Sequence, residues 1–132
     1  MMFDNIGVAA SGVAVYRKWL DAVSDNIANI NDASPTTGPA FQERFIQAQP
    51  IAGDFGGAVV ASTPAGNAEG RLVLEPNHPL ADEQGYVRYP DMDLSEQMGY
   101  LIMAQRGYQA NLAVADRAHG AYEAALQLGK NA

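Results

Sequence analysis

The sequence contains no cysteine among its 132 residues. Disulfide bonds, thiolate metal sites and cysteine nucleophiles are therefore excluded. Long apolar runs are also missing, because Asp, Asn, Arg or Lys interrupts each hydrophobic stretch before it reaches the roughly eighteen residues of a membrane helix. The start of the chain lacks the basic segment and apolar core that mark a cleaved secretory signal. We therefore expect no membrane insertion, and any passage out of the cytoplasm has to use another route.

Basic residues are scarce, since eight Lys and Arg stand against 15 Asp and Glu, a formal net charge of −7. The imbalance is concentrated in residues 32–93, which hold nine acidic residues and three basic ones, a balance of −6. The two ends of the chain together carry the remaining −1. Because neither end offers a basic face, nucleic acid and anionic membrane are poor partners, and we expect neither nucleic-acid binding nor membrane insertion.

Catalytic signatures are missing as well. His78 lies close to Asp82 and Glu83 in the sequence, but a catalytic metal needs three ligands in fixed geometry, and a loop bounded by prolines offers no rigid frame. We interpret this loop as a solvated turn. The other histidine, His119, falls on a helical packing row, and the chain has neither a Gly-x-Ser-x-Gly elbow nor a glycine-rich phosphate loop. We expect no enzymatic activity, no bound metal and no cofactor.

Proline is present in one part of the chain, because all seven prolines lie between Pro35 and Pro90. The two flanking blocks, residues 5–30 and 93–129, have helical periodicity and no proline, so each predicts one long helix. Asp4 or Asn5 is predicted to cap the first helix. Asp93 followed by Glu96 has the spacing of a capping box for the second, and Gly129 is predicted to end it.

Each predicted helix has a row of apolar residues at alternating spacings of three and four, which is typical of helices that pack along one another. The first packing row comprises Ile6, Ala9, Val13, Tyr16, Leu20, Val23, Ile27 and Ile30. The second comprises Leu94, Met98, Leu101, Gln105, Tyr108, Leu112, Ala115, His119, Tyr122 and Leu126.

These rows predict a mainly α fold with a small β insertion. The N- and C-terminal helices pair as an antiparallel coiled coil, with a β-hairpin module between them. Residues 1–31 and 92–132 are predicted to form one discontinuous helical domain, and residues 32–91 a Gly/Pro-rich β insertion. Short strands are expected in the insertion at 41–47, 58–62, 71–75 and 85–89.

Two features of the helices leave alternatives open. Five interior glycines each cost about 1 kcal/mol relative to alanine, and they either allow close helix packing or are simply tolerated. They are Gly7, Gly12, Gly99, Gly107 and Gly120. Trp19, which flanks the first packing row, either packs on the partner helix or anchors a neighbouring molecule.

Three motifs resemble those of flagellar rod and hook proteins. The first, S-x-N-I-A-N, consists of Ser24, Asn26, Ile27, Ala28 and Asn29. The second, R-x-Y-x-A-N, consists of Arg106, Tyr108, Ala110 and Asn111. The third is similar to a P-x-H-P-x-A-D-x-x-G-Y-V-x-Y-P run in a proximal-rod member of this family, and it includes His78, Pro79, Gly85, Tyr86, Val87, Tyr89 and Pro90. Residues 32–45 follow the family pattern loosely.

The resemblance implies a structural subunit of the bacterial flagellar basal-body rod. Such a subunit is exported unfolded by the flagellar type III apparatus with an uncleaved N-terminal signal. It polymerises in the periplasm with copies of itself and with other rod proteins. The resemblance also implies that the paired helices form the inner part of the rod and that the β insertion lies further out.

The packing rows and the missing catalytic signatures favour an assembly protein independently of this resemblance. A monomeric helical-hairpin adaptor that binds a partner helix is the alternative of a different class. Another short rod subunit is the alternative within the family. A small hydrolase using His78 would have to lose its activity on substitution of that residue.

Overall fold

The computed structural model describes residues 2–132, with side chains from Phe3 onward. Two long helices dominate the fold: α1, Met2–Asn29, and α2, Leu94–Lys130. Neither helix, within the part of the chain described, combines the length and apolar character needed to cross a membrane. The predicted mainly α fold with a β insertion between two terminal helices is confirmed.

The two helices run antiparallel. The ring of Phe3, near the start of α1, lies 4.9 Å from that of Tyr122 in the last third of α2. Trp19, further along α1, lies 6.0 Å from the ring of Tyr100 near the start of α2. Trp19 is half-buried by this contact. The structure therefore supports its packing on the partner helix within the molecule.

Local caps explain where α2 begins. Asp93 is the N-cap, and its Oδ1 accepts the backbone N–H of Glu96 at 3.0 Å. This satisfies one of the free amide groups at the helix start. The reciprocal half of the predicted capping box is not formed, because the Glu96 carboxylate accepts the hydroxyl of Tyr100.

Two helix ends differ from prediction. α1 begins at Met2 and places Asp4 in its first turn, where a carboxylate is favoured by the helix dipole, so Asp4 and Asn5 are not caps. α2 continues through Gly129 to Lys130, and the N–H of Asn131 closes it by donating to Gln127 O at 3.2 Å. Gly129 keeps a negative φ, so it does not form the left-handed stop that was predicted from its residue type.

The packing row of α1 is withdrawn from solvent along its whole length. Ala9 and Val23 are buried, at 3% and 1% exposure. The rest of the row is half-buried within the helix and comprises Ile6, Val13, Tyr16, Leu20 and Ile27. Ile30 is buried immediately after the helix ends. α1 packs against α2, and it also contacts β2 of the insertion, Ala58–Ser62.

The packed face of α2 includes four of the ten residues in its predicted row. Leu101, Tyr108, Ala115 and Tyr122 are half-buried, as the row predicts. The other inward positions each lie one residue earlier than predicted, and they are Gln97, Ala104, Asn111 and Ala118. The remaining predicted residues are exposed and are called here the outer row: Leu94, Met98, Gln105, Leu112, His119 and Leu126.

Small residues explain why α2 turns this face inward. A Cβ atom on Gly107 would lie 2.3 Å from the ring of Tyr16, and one on Gly12 would lie 2.4 Å from Oδ1 of Asn111. Gly107 therefore allows the Tyr16 ring to lie directly against α2, and a side chain at Gly12 would require Asn111 to move. Around Gly99, by contrast, no atom lies within 4 Å of the place that a Cβ would occupy, and the same is true of Gly7 and Gly120. Close packing therefore accounts for Gly12 and Gly107, whereas Gly7, Gly99 and Gly120 are simply tolerated.

The insertion contains two antiparallel hairpins. β1, Gln47–Pro50, pairs with β2, Ala58–Ser62, and β3, Arg71–Leu74, pairs with β4, Tyr86–Tyr89. The two hairpins form separate two-stranded sheets. The strands predicted at 58–62, 71–75 and 85–89 are confirmed to within a residue at each end.

The strand predicted at 41–47 is wrong except at Gln47. Residues 41–46 belong to no strand and make a single isolated bridge, between Arg44 and Ala65. Phe45 N–H donates to Pro64 O at 3.0 Å. Because Pro64 has no N–H to return this bond, no continuous ladder forms along the segment.

Candidate assembly site

Three segments meet at a buried amide near the end of the helix pair. Asn26 of α1 is 1% exposed, and Gln97 of α2 is fully buried. Asn26 Nδ2 donates to Gln97 Oε1 at 3.1 Å and to the backbone O of Arg44 at 3.0 Å. Asn26 Oδ1 accepts the Arg44 N–H at 2.8 Å. One side chain therefore joins both helices to the segment that leads from α1 into the insertion.

A carboxylate completes this amide junction, which we define as Asn26, Gln97, Glu43 and Arg44. Gln97 Nε2 donates to Glu43 Oε1 at 2.5 Å. Partial burial raises the pKa of Glu43 above its ordinary value, the hydrogen bond from Gln97 opposes this, and the negative charges of Glu96 and Asp91 raise the pKa further. The ionised carboxylate is therefore less stable here than in water.

Substitution of Glu43 by glutamine is expected to stabilise the protein more at neutral than at acidic pH. Because the folded-state pKa exceeds the ordinary value of 4.5, the stability that protonated Glu43 provides is lost as the pH rises through the raised pKa. Glutamine keeps an oxygen to accept the Gln97 amide and cannot ionise. Urea unfolding at about pH 4, below the ordinary pKa of the carboxyl, and at about pH 7 measures the effect. A difference between variant and parent that is the same at both pH values would contradict the role of Glu43.

Arg44 also forms an ion pair at the surface. Its guanidinium lies 2.6 Å from Asp25 Oδ2, and both side chains are at least half exposed. Exposed pairs of this kind contribute at most about 1 kcal/mol. The backbone of Arg44 therefore matters more to the amide junction than its charge does.

The loop between β3 and β4 is organised by Asp82. Its Oδ1 accepts the N–H groups of Gln84 and Tyr86, both at 2.9 Å, and its Oδ2 accepts the Thr36 hydroxyl at 3.1 Å. These bonds, first of all that from the Tyr86 backbone, hold the pKa of Asp82 below its ordinary value. The carboxylate thus binds its own loop and the segment after α1.

His78 is part of the same loop structure. Its Nδ1 accepts the N–H of Leu80 at 3.0 Å. Across residues 2–132, no group of three His, Asp or Glu side chains is placed to hold a metal ion. The hydrogen bond between His78 and Leu80 therefore helps to fix the shape of the loop.

β4 ties the insertion to the segment that follows α1. Val87 is fully buried in β4. The backbone N–H of Arg88 donates to Ser34 O at 2.9 Å, and its O accepts the Ser34 N–H at 2.8 Å. The Tyr89 hydroxyl donates to Glu75 Oε2 at 2.8 Å, and this bond raises the pKa of Tyr89. The outer edge of β4 is therefore bound to the segment after α1, and the Tyr89–Glu75 bond joins the two arms of the hairpin.

The structure separates the three motifs along the molecule. In the first, Asn26 is buried, Ile27 and Asn29 are half-buried, and Ser24 and Ala28 are exposed. In the second, Tyr108 and Asn111 are half-buried, while Arg106 and Ala110 are exposed. In the third, Gly85, Val87 and Pro90 are buried, His78 and Tyr89 half-buried, and Pro79 and Tyr86 exposed. They do not form one common site, and each organises its own part of the fold.

The sequence pattern does not identify Gln97 and Glu43 as members of the junction. Gln97 is polar and lies one residue before Met98, which the apolar pattern favours. The available signal is its spacing to Ala104, Asn111 and Ala118, which form a row of small or amide side chains. Glu43 lies in an irregular segment, where no periodicity identifies an inward position.

An apolar surface remains uncovered on α2. In the outer row, Leu112 is 41% exposed, Met98 44%, Leu126 48% and Leu94 52%. Residues 123–132 are exposed throughout, including Leu128 at 74%. The arrangement therefore offers a long helical face and a free helical end to other molecules.

The chain is similar over nearly its whole length to proteins named flagellar basal-body rod protein FlgC. It is 32% identical to the protein from Salmonella typhimurium over 126 residues, covering 93% of this chain and 94% of that protein. It is 31% identical to the protein from Borreliella burgdorferi over 147 aligned residues, covering 96% and 97%. The protein from Bacillus subtilis is 26% identical, with coverage of 97% and 98%. No family model matches the chain.

Proposed function

This chain belongs to the flagellar basal-body rod protein FlgC family, and from that premise we infer that it is a structural subunit of the rod in the flagellar basal body. Its terminal helices join it to copies of itself and to other rod proteins. The observation that carries this proposal is the division of α2 into two rows. One row packs inside the chain, whereas the outer row and the helical end stay exposed.

The outer row has the character of an interface that is covered after folding. Four of its members are large apolar residues, namely Leu94, Met98, Leu112 and Leu126. Large apolar side chains that stay exposed along one helix are typical of surfaces that associate with other proteins. A heptad spacing within the row fits a second helix laid along α2. Neighbouring subunits in a rod supply such helices.

Export precedes assembly in this proposal. The subunit leaves the cytoplasm unfolded through the flagellar type III apparatus, directed by an uncleaved N-terminal segment, and polymerises in the periplasm. A chain without cysteine crosses an oxidising space without cross-linking. The helices, with five interior glycines, are easily unfolded and gain stability when they pack against neighbours.

Deleting residues 126–132 is expected to separate export from assembly. Every residue from 123 onward is exposed, so the deletion leaves the described packing within the chain intact. It removes Leu126 and Leu128, which the proposal places against neighbouring subunits. The truncated chain should be secreted but absent from rods, and the cells should lack hooks. Immunoblots of periplasmic and culture fractions, with electron microscopy of basal bodies, measure both steps.

A deletion of Ala132 alone is the matched control, because it leaves α2 and its Asn131 cap in place. Rods of normal length built from the chain without residues 126–132 would contradict the proposal. Retention of that chain in the cytoplasm at normal expression would contradict the division between export and assembly. A helical-hairpin adaptor would instead bind a single partner helix and would not enter rods at all.

A further inference from the structure

The β3–β4 hairpin has one edge without a strand partner among the described residues. Arg88 of β4 directs its backbone groups to Ser34, away from β3. Leu72 is the residue opposite Arg88 in the ladder. In an antiparallel sheet the two residues of such a pair both direct their backbone groups outward, and this orientation repeats every second residue. The N–H and C=O groups of Leu72 and Leu74 therefore point away from β4.

No other described strand or bridge pairs with this edge. β3 pairs with β4 alone, and the isolated bridges in residues 2–132 join Ser34 to Arg88 and Arg44 to Ala65. The side chains along the edge are apolar and open to solvent, with Leu72 54% exposed and Leu74 58% exposed. An unprotected, apolar strand edge is a template for pairing with another chain.

In the β1–β2 hairpin, by contrast, a proline protects the outward edge from strand addition. Ile51 N–H donates to Gly57 O at 3.0 Å. Hydrogen-bonded pairs alternate with pairs that are not hydrogen-bonded to each other, so the next pair, Pro50 and Ala58, is of the second kind. The outward edge of β1 therefore includes Pro50, which has no N–H to donate. Proline at this position prevents strand addition. The open edge of β3 stands in contrast to that protected one.

We propose that the free edge of β3 accepts an extended, basic segment of a different rod protein, which adds a third strand beside Leu72 and Leu74. The pairing would use the outward backbone groups of both leucines and would cover their side chains. This inference rests on the proposed function, since it places the chain among other rod proteins.

Charge and symmetry argue against a second copy as the occupant. Residues 32–93 carry a balance of −6, so two insertions of this chain repel each other, whereas a basic segment is attracted. Pairing of β3 with β3 of a copy would also be a two-fold contact. A two-fold contact closes on itself, and extension of a filament requires head-to-tail contacts.

Photo-crosslinking in assembled rods identifies the occupant. The full chain, with p-benzoylphenylalanine in place of Leu74, is expressed in cells that build basal bodies, and purified rods are irradiated. The expected product joins position 74 to an extended basic segment of another rod protein, identified by mass spectrometry. A product that joins two copies of this chain would overturn the proposal. Rods that contain the substituted chain and yield no product would also overturn it.

Leu72→Lys tests the same edge without a probe. A charge on the strand edge should lower incorporation into rods about tenfold, while the thermal unfolding of the isolated chain stays unchanged. Leu80→Lys is the matched control, because Leu80 is 40% exposed in the same insertion and gains the same charge. Normal incorporation of Leu72→Lys would overturn the strand-addition proposal alone. Absence of the unsubstituted chain from rods would instead overturn the proposed function.

Discussion

Replacing Asn26 by alanine is expected to lower the free energy of unfolding by at least about 3 kcal/mol. The substitution removes three hydrogen bonds at once. It leaves the fully buried Gln97 Oε1 and the two partly buried backbone groups of Arg44 without their partner. Each unsatisfied buried group costs about 1–3 kcal/mol. Chemical denaturation followed by circular dichroism measures the loss.

Asn29→Ala is the control for this prediction, because Asn29 belongs to the same sequence motif. Its Nδ2 donates to Asp25 O at 2.8 Å, within the same helix, and the side chain is half-buried. Loss of this single local bond should cost about 0.5–1.5 kcal/mol. Equal effects of the two alanine substitutions would show that Asn26 does not join the segments as the amide junction requires.

Gly70→Ala is expected to destabilise the protein by about 3 kcal/mol or more. Gly70 precedes β3 with φ of +60°, a conformation that costs a residue with a side chain about 1–2 kcal/mol. A Cβ atom there would also lie 2.1 Å from the backbone O of Tyr89 and 2.6 Å from Cβ of Ala40. Neither neighbour is the flexible end of a side chain, so the backbone of β4 or of the segment at Ala40 has to move.

Gly56→Ala separates the cost of the positive φ from the cost of the steric contact. Gly56 has a similar φ of +70°, but a Cβ there would meet Val8 Cγ2 at an ordinary 3.7 Å. This variant should lose about 1–2 kcal/mol from conformation alone. The midpoints of thermal unfolding for both variants give the comparison. If Gly56→Ala is as harmful as Gly70→Ala, the close approach at Tyr89 makes no contribution.

The two pairs of variants examine contacts that local sequence patterns do not reveal. The first concerns a polar contact between residues 71 positions apart. The second concerns a glycine whose neighbour, Tyr89, lies on the adjacent strand of the sheet. In both cases the sequence identifies the residue type that permits the contact, and the approach of distant segments determines its energy.

The two helices and three of the four strands are determined locally, and the sequence predicts them correctly. Spacing of apolar residues, the Asp93 cap and the confinement of proline to residues 35–90 are properties of neighbouring positions. They act whether or not the chain is folded. The strand predicted at 41–47 was wrong because its formation depends on a remote segment, where Pro64 cannot complete a ladder.

The inward face of α2 was decided by tertiary structure. Leu101, Tyr108, Ala115 and Tyr122 are flanked on one side by larger residues such as Leu112 and on the other by smaller ones such as Ala104. Periodicity places both flanks equally near the packed face. Contact with α1 selects the smaller flank, because Tyr16 fits against Gly107 and Gln97 reaches Asn26.

The motifs likewise combine features that the sequence determines with contacts that only the tertiary structure determines. The sequence by itself identifies Asn26 as a member of a family motif and establishes two helical ends without catalytic signatures. It does not specify that Asn26 binds Gln97, since these residues are 71 positions apart and their contact depends on the relative register of the two helices. A buried amide stabilises that register because each polar group must find a partner when water is removed. In the tertiary structure, Asn26 forms all three of its hydrogen bonds within the chain. The flank of α2 that carries the larger apolar residues stays exposed.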